Sequence, residues 1–358
     1  MAGSPSRLFD LAVIGGGVNG CGIARDAADR GAEIRTRCRV SRLARTDGEW
    51  RIEAGGETFR ARAVVSATGP AVLKLLGLAD QPAVNSMWLV RGSHIVVPKL
   101  FDHSFAYFFQ LPDERILFAI PYERDFTLIG TTDVDHEGRL DEVTASAEEV
   151  AYLCEGASRF FTTPVTPADV VWTFSGVRPL IGDGSGRPEA ATRGYTLEMS
   201  DENEGPALLS VFGGKLTTYR QLAQHAVDKL KERVPSIDSG GWTDRSALPG
   251  GDLPVGSAEV KIAELTARYP FLERNWADRL LHAYGTTAWT ILGDAASLND
   301  CGEHLGQGLT QCEVDYLMAQ EWACSKDDIL WRRTKLGLHM SSVETAHLSE
   351  YLKEKAIA

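Results

Sequence analysis

The feature that most constrains the fold is a glycine turn near the start of the chain. Gly15, Gly17 and Gly20 follow a short apolar run at residues 8–14, and they open a stretch at 18–30 that reads as a helix. Glycines at this spacing let the backbone turn tightly and approach a pyrophosphate, whose charge then lies at the helix N-terminus. The same spacing also occurs in purely structural turns. Its position between a strand and a helix favours a dinucleotide-binding turn.

Two further segments also end a predicted strand in small residues. One is VVSATGP at 64–70, and the other is LLSVFGG at 208–214, which precedes a predicted helix at 216–233. The order of strand, glycines and helix therefore occurs twice in the first 235 residues. Strand ends of this kind leave room for a cofactor at the edge of a parallel sheet.

The remaining pattern predicts two sets of strands and a helical end. Alternating segments bounded by turn residues predict strands at 33–43, 50–54 and 58–67, and an antiparallel set at 93–98, 105–110, 115–121 and 126–131. Apolar periodicity predicts helices at 147–160, 258–268, 276–284 and 314–323. The sequence therefore predicts an α/β fold with an antiparallel β region and a helical C-terminal region.

Composition excludes some classes of protein. A net charge of −12 over 358 residues does not provide the basic surface that binding to nucleic acid requires. The six cysteines show no CxxC pair and no metal-ligand spacing, which predicts reduced thiols and no metal site. The sequence shows no stretch as apolar and long as a membrane-spanning helix and no secretory-signal pattern, so the expected location is the cytoplasm.

One expected partner of the glycine turn is missing. About twenty residues after such a turn, an Asp or Glu is expected to accept the ribose hydroxyls. Here residues 33–39 read EIRTRCR. Taken alone, Arg35, Arg37 and Arg39 would suggest a ribose 2′-phosphate and therefore NADP.

Four segments, in order, carry a resemblance to a known family. They are RGSHIVVP at 91–98, IGTTD at 129–133, WTFSGVRPL at 172–180 and SVFGGKLTTYR at 210–220. Together they closely resemble the FAD-dependent, aerobic glycerol-3-phosphate dehydrogenases. RYPFL at 268–272 and LWRRTK at 330–335 are similar to that family's C-terminal domain. The resemblance covers nearly the whole chain and implies FAD as the cofactor.

The resemblance also implies an architecture. We expect a two-dinucleotide-fold, glutathione-reductase-like FAD domain, here incomplete, together with an antiparallel β substrate domain and a helical C-terminal domain. The expected boundaries are 1–75 and 171–235 for a discontinuous FAD domain, 76–170 for the substrate domain and 236–358 for the C-terminal domain.

Site residues follow from the same resemblance. His94, Arg178 and Lys215 match the family's catalytic residues, and together with Arg193 they match its substrate-binding residues. A histidine can take the hydroxyl proton as hydride leaves C2, and the planar fork of arginine suits a phosphate dianion. Outside these motifs, a histidine in a strand is usually structural and an arginine usually forms a surface ion pair. The matching cofactor-binding residues are Gly15, Gly17, Gly20, Ala67, Thr68, Gly69, Gly213, Gly214, Lys215, Leu216 and Thr217.

One part of the family pattern is absent. The family continues after the first turn with a second strand ending in Glu, a serine-rich FAD loop and a GGLRY-like segment that feeds the active site. Here the match resumes at 31–40, which indicates an internal deletion with its join near 28–31. The three arginines then lie outside the ribose-reading strand, so the NADP interpretation fails. The deletion predicts an exposed flank on the first strand and weak or absent FAD binding.

Three functions stay open. The first is oxidation of sn-glycerol 3-phosphate to dihydroxyacetone phosphate, with hydride transfer to FAD and electrons passed to a quinone. The second is a catalytically impaired, shortened family member that acts as a non-enzymatic remnant. The third is a flavin-dependent amine or amino-acid oxidase, whose substrate carries a carboxylate or amine instead of a phosphate. For the first, the family implies a peripheral contact with the inner face of the cytoplasmic membrane and a homodimer, although no amphipathic anchor stands out.

Overall fold

The computed structural model describes residues 7–27, 32–83, 85–182, 194–200, 205–237 and 241–357. The chain divides into two compact units, Met1–Asp244 and Arg245–Ala358. In the described ranges, the first unit carries two large sheets with helices packed on them, and the second unit is mainly helical. The predicted α/β class is confirmed.

The first unit consists of runs of strands separated by single α-helices. The strands are β1 (Leu8–Ile14), β2 (Val40–Thr46), β3 (Glu49–Ala54), β4 (Glu57–Ser66), β5 (Met87–Pro98), β6 (Tyr107–Gln110), β7 (Ile116–Tyr122), β8 (Phe126–Gly130), β9 (Val134–Asp135), β10 (Trp172–Ile181), β11 (Tyr195–Ser200) and β12 (Ala207–Gly213). The α-helices are α1 (Val18–Ala27), α2 (Val72–Leu78), α3 (Ala147–Ser158) and α4 (Tyr219–Lys231).

The first sheet is mixed and is centred on β4. Its order is β11-β12-β4-β3-β2, with β1 pairing to β4 off this path. Both β1 and β12 run parallel to β4, so the carboxyl ends of these three strands meet at one edge of the sheet. Ile23 of α1, Leu222 of α4 and Val65 of β4 pack in one core on a face of the sheet. This arrangement is the one that dinucleotide-binding folds use.

Strand β1 lies at an open edge of this sheet. Arg60 and Ala61 of β4 pair with β1 and also with β3, so β1 and β3 lie on opposite sides of β4. Within the described ranges β1 has no second neighbour, and none of its seven residues is buried. Parallel strands are normally covered on both sides. Within the described ranges the flank of β1 thus carries no strand, as expected from the deletion, which itself stays a prediction.

Two tight turns connect β2, β3 and β4, as the turn residues predict. Asp47 and Gly48 have φ of +50 and +80, and Gly55 and Gly56 have φ of +58 and +83. A two-residue hairpin turn of type I′ requires positive φ at both positions, which explains these residue types.

The strand predicted at 33–43 is wrong in its first part, because β2 begins only at Val40. A turn at Thr36 and Arg37, where Arg37 has φ of +56, interrupts the extended path before it. The alternation of apolar residues does not indicate that a residue such as Arg37 adopts the left-handed conformation.

The second sheet is antiparallel and has the order β10-β5-β8-β7-β6, with β9 pairing to β5. One face packs on α3, where Ile95, Leu117, Ile129 and Leu153 form a fully buried core. The expected domain boundary at 171 falls just before β10, which by hydrogen bonding belongs to this second sheet. The domain boundaries themselves stay a prediction.

The second unit is built from short helices. They are α5 (Ala258–Arg268), α6 (Arg274–Tyr284), α7 (Thr287–Leu292), α8 (Gln311–Gln320) and α9 (Ser342–Ile357), with a π-helical segment Asp328–Arg333 and a small hairpin of β13 (His304–Gly306) and β14 (Leu309–Thr310). Leu265, Leu281, Leu317 and Leu348 lie in its single core. No helix in the described ranges combines the length and apolar character needed to span a bilayer.

Candidate functional site

The glycine turn after β1 depends on backbone contacts that only glycine permits. Gly15 has φ of +120, and a Cβ there would lie well inside contact distance of the Ala67 carbonyl oxygen. A Cβ on Gly20 would overlap the Gly15 carbonyl oxygen in the same way. The Ala67 N–H donates to the carbonyl oxygen of Ile14 over 2.8 Å. The turn and the end of β4 are therefore packed directly on one another.

The glycine pair at the end of β12, Gly213 and Gly214, contacts the same region, at the start of α1. The Asn19 side chain of α1 donates through Nδ2 to the Gly213 carbonyl oxygen over 3.3 Å. Gly213 and Gly214 have φ of +69 and +98, and a Cβ on Gly214 would lie 2.8 Å from the Asn19 Nδ2. Three of the predicted cofactor segments thus converge at the N-terminus of α1.

These residues fit one part of FAD. At Gly16 and Gly17 no atom lies within 4 Å of the position of a Cβ, so the backbone is open to an approaching pyrophosphate. The Asn19 Oδ1 beside them is buried and has no hydrogen-bond partner in the described ranges, so it can accept from a ligand N–H or O–H, a donor that the pyrophosphate itself does not carry. The adenosine ribose of FAD has no such binding residues, because the strand that would carry them is absent from the described ranges. There, β1 pairs with β4 on one side and with no strand on the other. The fit is to the pyrophosphate and does not extend to the adenosine.

His94 projects from β5 on the sheet face opposite α3. Its ring lies flat against Phe174 of β10, with ring centroids 4.8 Å apart and planes inclined by 6°. Gly130 of β8 lies directly across from His94, and a Cβ there would overlap the imidazole. Burial, reinforced by the charge of Arg178, lowers the pKa of His94. At neutral pH the ring is therefore uncharged and can accept a proton.

Arg178 projects from β10 and is held by the segment that follows β8. Its Nη1 donates to the carboxylate of Asp133, and its Nη2 donates to Thr131 Oγ1 over 2.8 Å and to the Thr132 carbonyl oxygen over 3.4 Å. A guanidinium has five N–H groups, so three bonds to the protein leave donors for a ligand. A Cβ on Gly92 would overlap the guanidinium, so this glycine provides the space that Arg178 occupies.

These side chains line a cavity of about 250 Å³. Its walls are His94, Phe174 and Arg178, with Gly92, Ser175, Gly176 and Val177. The volume suits a ligand smaller than a typical drug molecule. A neutral base, a cation with free donors and an aromatic wall can together bind a small anionic alcohol and take a proton from it.

The other predicted site residues lie apart from this cavity or outside the described ranges. Lys215 follows the second glycine pair, and its backbone N–H donates to Thr218 Oγ1 over 3.1 Å. Its side chain is exposed, and in the described ranges no hydrogen bond or ion pair joins it to His94 or Arg178. Leu216 beside it is 72% exposed. Arg193 lies outside the described residues, as does the predicted join at 28–31.

Comparison with known proteins gives two profile matches. The profile of the FAD dependent oxidoreductase family matches residues 22–220, more than half of the chain. The profile of the C-terminal domain of alpha-glycerophosphate oxidase matches residues 242–353. The chain belongs to the FAD-dependent oxidoreductase family.

Within this oxidoreductase family, the chain is similar to three named enzymes. It is 43% identical over 338 residues to a glycerol-3-phosphate dehydrogenase of Pseudomonas aeruginosa, and 40% identical over 332 residues to the aerobic glycerol-3-phosphate dehydrogenase of Escherichia coli. It is also 40% identical over 332 residues to the D-erythritol 1-phosphate dehydrogenase of Brucella abortus. The matches cover 93%, 91% and 91% of this chain and 66% of each relative. This oxidoreductase therefore spans about two thirds of the length of these relatives.

A solved structure confirms the predicted fold. The crystal structure of the glycerol-3-phosphate dehydrogenase from Bacillus halodurans, complexed with FAD, matches with a TM-score of 0.75 and 24% sequence identity. The match covers 95% of this chain and 67% of that one. The resemblance to the glycerol-3-phosphate dehydrogenases is confirmed, and the internal deletion stays a prediction.

Sequence reasoning missed several residues that shape the cavity. Asp133 and Thr131 lie in the IGTTD motif, yet neither was assigned the role of holding Arg178. Gly92 and Gly130 make room for the side chains of Arg178 and His94, and Phe174 packs flat against the imidazole. The available signal was their position inside the family motifs, with Gly92 in RGSHIVVP, Phe174 in WTFSGVRPL, and Gly130, Thr131 and Asp133 in IGTTD.

A pair of opposed glycines allows a direct test of this geometry. Gly92 and Gly176 face each other across β5 and β10. Gly92→Ala displaces the guanidinium end of Arg178, so we expect about tenfold weaker binding of a small phosphate monoester in the cavity. Gly176→Ala is the matched control, because a Cβ there meets no atom within 4 Å. Isothermal titration calorimetry on both variants measures the two affinities. Equal affinities would contradict the role of Gly92 in making space for Arg178.

Proposed function

We propose that this FAD-dependent oxidoreductase oxidises sn-glycerol 3-phosphate to dihydroxyacetone phosphate. The observation that carries the proposal is the presence, in one cavity, of the uncharged imidazole of His94 and the guanidinium of Arg178 with donors available. A base beside a cation suits the removal of a proton from a hydroxyl on an anionic substrate. The two relatives named as glycerol-3-phosphate dehydrogenases support the choice of substrate.

The proposed chemistry assigns one task to each side chain. His94 accepts the proton of the C2 hydroxyl as hydride leaves C2, and the C–O bond becomes a carbonyl. Arg178 donates to the substrate phosphate or to the oxygen that gains negative charge, and Asp133 and Thr131 keep it in place. Phe174 covers one face of the imidazole and keeps water from it.

The cofactor and the further partners are part of the proposal. FAD, when bound, supplies the acceptor for the hydride. Gly16, Gly17 and the N-terminus of α1 would hold its pyrophosphate, and the segment 213–217 would lie beside the flavin. We retain Arg193 and Lys215 as proposed ligands of the substrate phosphate. We also propose a quinone acceptor, a peripheral contact with the inner face of the cytoplasmic membrane, and a homodimer.

A second substrate is supported by one relative. The D-erythritol 1-phosphate dehydrogenase is as similar to this chain as the Escherichia coli relative is, at 40% identity. Both substrates are phosphate monoesters of small polyols, so the same base and cation would serve either. The open edge of β1 supports a different alternative, a non-enzymatic remnant that binds FAD weakly or not at all.

Flavin titration tests these functions against each other. The purified chain is titrated with FAD, and flavin absorbance is followed without air while glycerol 3-phosphate, D-erythritol 1-phosphate or glycine is added. We expect weak FAD binding, with bleaching by glycerol 3-phosphate. Faster bleaching by D-erythritol 1-phosphate would transfer the proposal to that substrate, and bleaching by glycine would favour an amine oxidase. If the chain binds no FAD, the non-enzymatic remnant is the function that remains.

The lowered pKa of His94 predicts a pH dependence. The unfolded histidine has a pKa near 6.5, so the unfolded chain binds more protons as pH falls below that value and the folded protein loses stability. The same group is deprotonated throughout the neutral range, so proton acceptance does not fall off near pH 7. Histidine C–H resonances followed by NMR should give a midpoint below about 6.5 for His94. A midpoint at or above that value contradicts the burial of the ring.

A further inference from the structure

A buried carboxylate lies behind the candidate cavity, at the start of α3. We propose that Glu149 is a positioning residue for the site, which fixes Arg178 and His94 by holding the residues beside each of them. The inference rests on the proposed function for the roles of those two side chains. The contacts that support it belong to the second sheet and α3.

One carboxylate oxygen of Glu149 serves the strands of the site. Its Oε1 accepts hydrogen bonds from Ser93 Oγ over 2.8 Å and from Thr132 Oγ1 over 2.7 Å. Ser93 and Thr132 are also joined directly, since the Ser93 N–H donates to Thr132 Oγ1 over 2.9 Å. A single oxygen therefore ties β5 to the segment that follows β8.

The other oxygen serves the helix. Its Oε2 accepts from the Ser146 N–H over 2.9 Å, and Ser146 Oγ accepts from the Glu149 N–H over 3.2 Å, which together make a capping box. The same oxygen pairs with the Arg91 Nη2 over 2.9 Å. Helix capping thus accounts for Oε2 only, and it gives no reason for the two bonds at Oε1.

The residues held by Oε1 are direct neighbours of the functional groups. Ser93 precedes His94 on β5, and Thr132 lies between the two residues whose side chains hold Arg178, Thr131 and Asp133. Movement of Thr132 would therefore move both acceptors of the guanidinium. Movement of Ser93 would shift the backbone of His94.

The charge on Glu149 is maintained despite its burial. The side chain is only 5% exposed, and burial alone would raise its pKa. Hydrogen bonds from Ser146, Thr132, Ser93 and Arg91 outweigh burial and hold the pKa below its usual value. A carboxylate that accepts from several donors is held in one orientation, because each hydrogen bond restricts the same two oxygens.

Glu149→Gln tests the proposal, with Glu148→Gln as the matched control. Both variants remove one negative charge from the first turn of α3, but Glu148 is exposed, and its side chain bonds to Ser146 at the helix start and not to Ser93 or Thr132. Thr132→Val is a second variant that removes the hydroxyl that donates to Glu149 and accepts from the Ser93 N–H, and it serves if Glu149→Gln fails to fold. The readouts are the NMR titration midpoint of His94, the affinity for glycerol 3-phosphate and the thermal unfolding midpoint.

We expect Glu149→Gln and Thr132→Val to shift the His94 midpoint by about half a pH unit and to weaken glycerol 3-phosphate binding about tenfold. Glu148→Gln should change neither, and the double variant Glu149→Gln/Thr132→Val should change both quantities by less than the sum of the single variants, because the Thr132–Glu149 bond is common to the two. A lower unfolding midpoint with an unchanged His94 midpoint would reduce Glu149 to a helix cap and overturn the proposal.

The two proposals fail in different ways. If the unaltered chain does not bind glycerol 3-phosphate, the proposed function fails. The His94 titration still decides the role of Glu149, because it needs neither substrate nor FAD.

Discussion

Replacing Arg178 with glutamine should weaken the binding of glycerol 3-phosphate by about 100-fold or more, because truncating one partner of a charge-assisted contact costs several kcal/mol. The variant also leaves Asp133 without its cation beside an anionic ligand. Since the charge of Arg178 contributes to the lowered pKa of His94, the His94 midpoint should rise in the same variant. Calorimetry and the NMR titration measure the two effects on one sample.

Arg139→Gln provides the control for charge alone. Arg139 pairs with Asp141 at an exposed site in the same unit, so its removal changes the net charge by the same amount. We expect that variant to bind glycerol 3-phosphate as the unaltered chain does. Equal affinities of the Arg178 and Arg139 variants would mean that the cavity is not the substrate site.

Glu313→Ala should destabilise the second unit by about 3–5 kcal/mol, because it leaves a buried guanidinium uncompensated. Arg279 donates to both oxygens of Glu313, over 2.6 and 2.7 Å, and Tyr284 donates to the same carboxylate over 2.7 Å. Burial and the neighbouring charge of Glu313 raise the pKa of Tyr284, so it remains a donor. The carboxylate is 1% exposed, which leaves water no access to replace these bonds.

Glu264→Ala is the matched control in the same unit. Glu264 pairs with Lys261 over 2.7 Å on the surface of α5, where an ion pair contributes about 0–1 kcal/mol. Hydrogen–deuterium exchange of peptides from 245–358 reports the opening of this unit separately from the first. Equal hydrogen–deuterium exchange in the Glu313 and Glu264 variants would contradict the expected stabilisation by the buried Arg279–Glu313 pair.

The sequence predicted the local parts of the fold well, because glycine and apolar patterns act over short distances. The turn after β1 requires glycine at Gly15 and Gly20, and the left-handed pairs at 47–48 and 55–56 require residues that tolerate positive φ. The predicted strand at 33–43 failed at its start for the same kind of reason. Arg37 adopts positive φ without being a glycine or asparagine, so no residue type announced the turn.

The candidate site was predicted only in part, because hydrogen-bond partners depend on strand register. The separations are long: Arg178 and Asp133 lie 45 residues apart, and Glu149 and Ser93 lie 56 apart. The pairing of β5 with β10 and β8 brings these groups together, and no local pattern encodes that pairing. The family resemblance predicted His94 and Arg178 as site residues. The residues that hold them in place, such as Asp133 and Glu149, became visible only in the structure.

The open edge of β1 has a consequence for how the chain behaves in concentrated solution. Both faces of this strand already pack on cores, through Leu11 and Val13 on one side and Phe9 and Ile14 on the other. The edge therefore offers backbone N–H and C=O groups, which pair with almost any extended peptide. The segment LFDLAVI contains no proline and a single charge, the composition from which fibrils nucleate. An exposed edge of this composition is an aggregation hazard, so we expect self-association of this chain at high concentration to begin at this segment.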